Sequence, residues 1–207
     1  PENCEDVDDA FSYFEENNKK YIAIHIADPT NHIKLFSNKF NTIIEKSFTR
    51  YPSNRKPIHL MTKDILEKST LHENNYGQIK KALTLILEFD KNNILNYNNT
   101  IFYFSFIKVN KSNKLSYNNV PENNSDIENC LNLSNFIFPN LIYNNDNKFE
   151  IKYNNNNPYF YKNTQLECKY KKMIAKFAIF SNNYIAYFLK KNLNNDHIIF
   201  RKCPVIN

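Results

Sequence analysis

Near the start of the chain, Asp6, Asp8 and Asp9 fall within the stretch Glu5-Asp6-Val7-Asp8-Asp9. Carboxylates this close repel one another and cannot be buried without a counter-charge. A hard divalent cation supplies one, since Mg²⁺ is held by one or two carboxylates together with substrate phosphates. The three aspartates are therefore a candidate Mg²⁺ site serving phosphate chemistry. The plain alternative is a solvated acidic loop.

The rest of the composition suits a polyanionic substrate. The 207 residues carry 27 Lys and Arg against 21 Asp and Glu, a net charge of +6. Cations can hold a phosphate chain while the carboxylates work on it. Thirty-eight asparagines accompany a single glycine, Gly77, and no tryptophan. Asn, Lys, Ile, Tyr and Phe share A/T-rich codons, so the asparagines read as polar surface filling without chemistry of their own. Cys4, Cys130, Cys168 and Cys203 are scattered, with no CxxC, and indicate neither a zinc site nor a disulfide framework. Reduced thiols and a cytoplasmic location are expected. No signal-peptide pattern and no run of 18 apolar residues occurs, so no membrane partner is expected. The length suffices for one sizeable core, and a chain opening on Pro1 reads as a segment of a longer protein.

The elements that must position the carboxylates follow from periodicity. Ala10 to Phe14 and Tyr21 to Asp28 are β-prone runs around a polar turn, which predicts a hairpin with the carboxylates at a strand edge. Lys34 to Thr49 has helical apolar spacing and ends before Pro52. A short helix is expected over Thr62 to Lys68, then strands over Ala82 to Phe89 and Thr100 to Val109. Ser125 and Glu128 have capping-box spacing at the head of a helix reaching Phe138. Residues 144–157 are Asn-rich, with a short strand at Phe149 to Tyr153, and read as a variable segment or mobile loop. A helix from Gln165 to Lys191 is apolar on most faces and so is expected to be central. Ile198 to Lys202 reads as a final strand. The fold class is α+β, with a mixed, mainly antiparallel sheet and one long central helix.

Taken in order, these stretches resemble the catalytic domain of the ribonuclease II family, the RNB domain. Asp6-Val7-Asp8-Asp9-Ala10-Phe11-Ser12 is similar to its DxDDAxS signature, and His25-Ile26-Ala27-Asp28 to its HIAD strand. Arg50-Tyr51-Pro52, Pro57 to Met61 and Ser69-Thr70-Leu71 resemble the segments that follow. Leu115-Ser116-Tyr117 resembles the family's tyrosine segment, Met173 to Leu189 its long helix, and Phe200-Arg201-Lys202-Cys203-Pro204 its RRHP-like strand. The likeness runs over residues 1–207 as a partial RNB-type catalytic domain, weakest between residues 120 and 165.

The resemblance implies hydrolytic 3′→5′ exoribonuclease chemistry on single-stranded RNA with Mg²⁺. It places Asp6, Asp8 and Asp9 in the metal-binding set and makes Asp8 the residue most critical for activating the attacking water. The first of the family's four aspartates would fall one position before Pro1. Tyr51 matches a tyrosine that stacks on a base near the 3′ end, which gives a sequence-tolerant grip. Tyr117 matches a residue near the ribose, where a 2′-OH contact separates RNA from DNA. Arg201 and Lys202 match phosphate-holding positions. Each has a plainer reading: a helix-end aromatic, a strand-end core tyrosine and a solvated strand end. His25 reads as a satisfied core histidine and Asp28 as a turn-fixing residue.

The chain also departs from the pattern. Ala175 and Lys176 stand where the family's long helix carries an acidic pair, one member of which works with the matched tyrosine. Cys203 replaces a histidine. An inactive RNA-binding or scaffold derivative of the same fold is therefore the competing reading, and a metal-independent interaction module is a third. Protein partners are not indicated.

Overall fold

The structure, a computed structural model, describes residues 7–50, 52, 57–71, 78–109, 115–117, 119–121, 123–138, 149–154 and 157–193. Strands β1 (Asp9–Glu16) and β2 (Lys19–Ala27) form the expected hairpin, with Asp9 opposite Ile26 and Glu16 opposite Lys19. Asn17 and Asn18, at φ 53° and 59°, make the two-residue turn. Two left-handed residues are what a type I′ turn requires, and asparagine tolerates that region better than most residues. In a chain with one glycine, asparagine takes over this role. It does so again at Asn93 and Asn123, at φ 63° and 65°, so the asparagines are more than surface filling.

Helices α1 (Asn38–Lys46) and α2 (Lys63–Ser69) lie between β2 and β3 (Ile79–Phe89), which is followed by β4 (Ile101–Lys108). The sheet has the order β1-β2-β3-β4 and is antiparallel throughout. The first helix is shorter than its apolar spacing predicts. Ser37 accepts a hydrogen bond from the Phe40 N–H and starts it there, while Lys34 to Phe36 form the preceding turn.

Helices α3 (Ser125–Ile137) and α4 (Gln165–Asn192) cover one sheet face. Ile22, Leu87 and Phe89 of the sheet interleave with Leu133, Phe177 and Phe180, all buried. Each such side chain is worth ~1.5–3 kcal/mol on leaving water, so this packing fixes α4 against the sheet. Asn124, not Ser125, caps α3, through its side-chain oxygen and the Ile127 N–H. The buried side chains of α4, among them Tyr170, Met173, Phe177 and Phe180, follow one stripe rather than the whole circumference. Its other apolar residues include the exposed Tyr187 and Phe188.

Between α3 and α4, β5 (Phe149–Asn154) pairs with β6 (Asn157–Lys162) in a separate antiparallel hairpin. The described part of the Asn-rich segment is thus ordered in a strand pair, and β6 is an element the sequence reading missed. The proposed final strand, Ile198 to Lys202, lies outside the described residues. No described helix is long and apolar enough to cross a membrane.

One buried carboxylate ties the far end of the sheet together. Glu88 Oε1 accepts from Lys19 Nζ at 3.0 Å, Asn96 Nδ2 at 3.2 Å and Asn99 Nδ2 at 2.8 Å, and Oε2 accepts from the Tyr21 hydroxyl at 3.2 Å. The Asn99 bond, then that of Lys19, holds its carboxyl below the ordinary value of 4.5 despite the cost of burial. A depressed folded-state pKa contributes stability that is complete above 4.5 and lost as pH falls through the lower folded value. Glu88→Gln is therefore expected to lower the melting temperature at pH 7, with the gap to wild type closing in acid. Thermal melts of both proteins across that range check this; a gap that persists in acid contradicts it.

Candidate active site

The acidic stretch is held by backbone hydrogen bonds on two sides. The Ala27 N–H, at the end of β2, donates to the Asp8 carbonyl at 2.7 Å. On the other side, the Val7 N–H donates to Thr70 Oγ1 at 2.9 Å and the Leu71 N–H to the Val7 carbonyl at 2.9 Å. Three stretches that the sequence reading treated separately thus meet here: Val7-Asp8, the end of the HIAD strand, and Ser69-Thr70-Leu71.

Asp28 finishes that strand and fixes the turn after it. Its N–H donates to the Lys81 carbonyl at 3.1 Å, and its Oδ1 accepts from the Thr30 N–H at 3.0 Å and from the Thr30 hydroxyl. Oδ2 is buried without a hydrogen bond and faces the Lys81 ammonium at 3.5 Å. Lys80, from the next position, donates to the Lys68 carbonyl at 2.6 Å and anchors α2 to β3. These contacts surround a cleft of about 420 Å³.

Strand alternation then separates the carboxylates. Asp8 has the parity of Ala10 and Ser12, on the face that carries His25; Asp9 has that of Phe11 and Tyr13, on the helix face. Both aspartates are exposed. The Asp9 carboxyl is nevertheless raised above its ordinary value, because neighbouring protein atoms displace part of its water, against a smaller opposing pull from its own backbone N–H. The exposed carboxylate oxygens of Asp8 and Asp9 are hard donors of the kind Mg²⁺ takes. Asp6 lies outside the described residues, and among those described no group of three or more His, Cys, Asp or Glu is placed to hold a metal.

On the Asp8 face, side-chain hydrogen bonds cross all four strands. Ser12 Oγ lies 3.1 Å from His25 Nε2, His25 Nδ1 lies 2.8 Å from Thr84 Oγ1, and Thr84 Oγ1 lies 2.5 Å from Ser105 Oγ. His25 is thus the satisfied histidine its sequence context suggests, and burial holds its pKa below the ordinary value. Ser12 belongs to the DxDDAxS-like stretch, whereas Thr84 and Ser105 are not marked by any motif. Their only signal is a hydroxyl at alternating positions of apolar strands.

Tyr117 is half-buried against the core, with the Lys171 ammonium 5.6 Å from its ring centre. This corrects the expected pairing on α4. Lys176 does not address Tyr117; it donates to Asn135 Oδ1 on α3 at 3.1 Å. The five steps from Lys171 to Lys176 turn the helix by about 500°, which leaves the two about 140° apart and on different faces. Tyr51, Arg201 and Lys202 lie outside the described residues.

An antiparallel sheet with this acidic stretch at its edge and a long helix across one face defines the class first: an exoribonuclease-type fold. The RNB domain model matches residues 1–207, and the chain belongs to the RNB domain family. Among solved structures, it is similar to apo Mycoplasma genitalium RNase R, with a TM-score of 0.73 and 17% identity over 93% of this chain and 32% of that one. An active-site mutant of the Dss1 exoribonuclease from Candida glabrata gives a TM-score of 0.73 at 16% identity, over 92% of this chain and 29% of that one. Yeast Ssd1, described as a pseudonuclease, matches at a TM-score of 0.54 and 16% identity, over 63% of this chain and 16% of that one. The chain therefore spans about a third or less of the length of these structures. No curated protein matches it.

The hydrogen bond from Val7 to Thr70 generates a test. Thr70→Val keeps the shape but removes the acceptor of a partly buried N–H, which is expected to cost ~1–3 kcal/mol. Urea unfolding measures the loss, and amide exchange at Val7 should accelerate more than at Ile24. A substitution with no effect on either would mean that Thr70 does not hold the acidic stretch.

Proposed function

We propose that the chain is part of the catalytic domain of a hydrolytic 3′→5′ exoribonuclease acting on single-stranded RNA. The observation that carries this reading is the fixing of Val7-Asp8 between β2 and Thr70-Leu71, in a chain whose whole length matches the RNB domain. RNA in the solved complexes of Mycoplasma genitalium RNase R, one with double-stranded RNA and one with ribose-methylated single-stranded RNA, supports RNA as the substrate class.

By their match to the family pattern, and although strand alternation turns the exposed Asp8 and Asp9 to opposite faces, Asp6, Asp8 and Asp9 would hold Mg²⁺, which when bound eases deprotonation of water and absorbs charge developing at phosphorus. Asp8, exposed at the head of β1, orients the attacking water and accepts its hydrogen bond. The water oxygen bonds to phosphorus as the bond from phosphorus to the 3′ oxygen of the preceding nucleotide breaks; that oxygen takes up a proton, and the terminal nucleotide leaves as its 5′-monophosphate. Tyr51 stacks on a base near the 3′ end, and Arg201 and Lys202 hold phosphates, by their match to the family pattern.

Asp8→Asn is expected to abolish RNA hydrolysis and leave RNA affinity nearly intact, because bases and most phosphates are held elsewhere. Single-turnover decay and filter binding, run on the variant and on wild type within the parent protein, give the answer. Hydrolysis by Asp8→Asn near the wild-type rate would refute the assignment. The likeness to the pseudonuclease Ssd1, together with Ala175 and Lys176 in place of the family's acidic pair, favours a second reading as an inactive RNA-binding derivative. Wild type that binds RNA and never cuts it would establish that one instead.

Sugar choice is assigned to Tyr117. The Lys171 ammonium beside it can only donate, so the tyrosine hydroxyl is the group that can accept from a ribose 2′-OH. Tyr117→Phe is expected to reduce the preference for RNA over DNA by about fivefold, the worth of one hydrogen bond near 1 kcal/mol. Matched RNA and DNA oligomers measure it; an unchanged ratio gives Tyr117 a purely structural role.

A further inference from the structure

The groove between α3 and α4 is a cationic feature that the reading above does not use. Asn132 and Asn135 of α3 line one side, and Lys169, Lys172 and Lys176 of α4 the other, around a cavity of about 170 Å³. Lys169, Lys172 and Lys176 are spaced i, i+3, i+7, which puts them in one row on the helix. At 1.5 Å per residue the row is about 10.5 Å long. None of the described residues lining the groove is acidic.

Such a row is unfavourable in isolation. Lys176 donates to a neutral amide, Asn135 Oδ1, at 3.1 Å. Burial, and then the like charge of Lys172, hold its pKa below the ordinary lysine value. An anion lying along the row meets three cationic side chains that line one cavity. The amide groups of Asn132 and Asn135 add neutral donors and acceptors suited to phosphate and sugar oxygens.

We propose that the α3/α4 groove is a contact for the phosphate backbone of single-stranded RNA, separate from the carboxylate edge of the sheet. A row of about 10.5 Å spans about three nucleotide steps at the ~3.4 Å per residue of a stacked strand, so each lysine can meet a different phosphate. The lysines act as point charges and read no sequence, so the contact holds RNA rather than selecting it. This rests on the exoribonuclease-type reading, which supplies RNA as the polyanion.

The test is the salt dependence of RNA binding, with a single-stranded RNA homopolymer as the probe. Each phosphate contact contributes about 0.7 to the slope of log affinity against log salt. Replacing Lys169, Lys172 and Lys176 together by Gln should therefore lower the slope by about 2. The triple Arg variant keeps the charges and should keep the slope; loss in both variants would reveal a folding defect and overturn the assignment. Lys190→Gln with Lys191→Gln, at the far end of α4, serves as the control for bulk charge. An unchanged slope in the triple Gln variant, or the same loss per charge in the control, also overturns it. Failure of wild type to bind RNA at all would sink the exoribonuclease reading and this contact together. RNA hydrolysis by wild type, with an unchanged slope in the triple variant, would sink this contact alone.

Discussion

The register of β1 against β2 is the constraint on which the site depends. Side chains alternate between faces, so a slip of one residue would carry Asp8 to the helix face and expel Phe11 and Tyr13 from the core. Several independent features fix that register. The left-handed pair Asn17-Asn18 sets the turn. Glu15 lies opposite Lys20 and Glu16 opposite Lys19, and Phe14 stacks on Tyr21 with ring centres 4.8 Å apart. Ser12 reaches His25 on the outer face while Phe11 meets Phe177 edge-on at 5.7 Å on the inner one. Opposite faces of one strand are thereby locked by different chemistry.

Helix α4 supplies the second level of positioning. Its start is fixed by a reciprocal cap: the Glu167 N–H donates to Thr164 Oγ1 at 3.1 Å, and Glu167 Oε2 accepts from the Thr164 N–H at 2.6 Å. Burial pulls the Glu167 carboxyl upward, but the Thr164 N–H and the Tyr161 hydroxyl outweigh it and keep the group below its ordinary value. From that anchored end, Lys171 meets Tyr117, Phe177 meets Phe11, and the Tyr184 hydroxyl donates to the Thr100 carbonyl just before β4. One rigid element therefore sets the carboxylate strand, the tyrosine segment and the opposite edge strand in a common frame.

How much of this was legible in the sequence depended on whether the signal was local. The hairpin, β3, β4 and the span of α4 have strong periodicity, and the DxDD-to-HIAD spacing reflects direct pairing, so these were readable. The Thr164-Glu167 box was equally local and was overlooked, while Ser125-Glu128 was chosen over the true cap, Asn124. Strand β6 was missed because Asn157 and Pro158 obscure the run Tyr159-Phe160-Tyr161. The meeting of Val7 with Thr70 spans 63 residues, and no periodicity encodes it. The facing of Lys176 toward α3 likewise follows only once the helix phase is known. A match of motifs in one dimension placed it beside Tyr117, and three-dimensional phase put Lys171 there.

The charged groups then divide according to what the protein does to them. Glu88 and Glu167 are surrounded by donors that favour the ionised form, so the fold itself consumes their charge. Asp9 and Lys176 are shifted the other way, each toward neutrality. Lys80 shares that direction from burial alone, and its bond to the Lys68 carbonyl gives it a structural use. Lys176 differs because a like charge, Lys172, adds to the burial. For Asp9 the cause is water displaced by neighbouring protein atoms, opposed by its own backbone N–H. Charge of one sign therefore gathers at the sheet edge and of the other in the α3/α4 groove. The carboxylate edge calls for a cation and the lysine row for an anion. The two features lie on different elements, the head of β1 and the α3/α4 groove, so a substitution at one need not disturb the other.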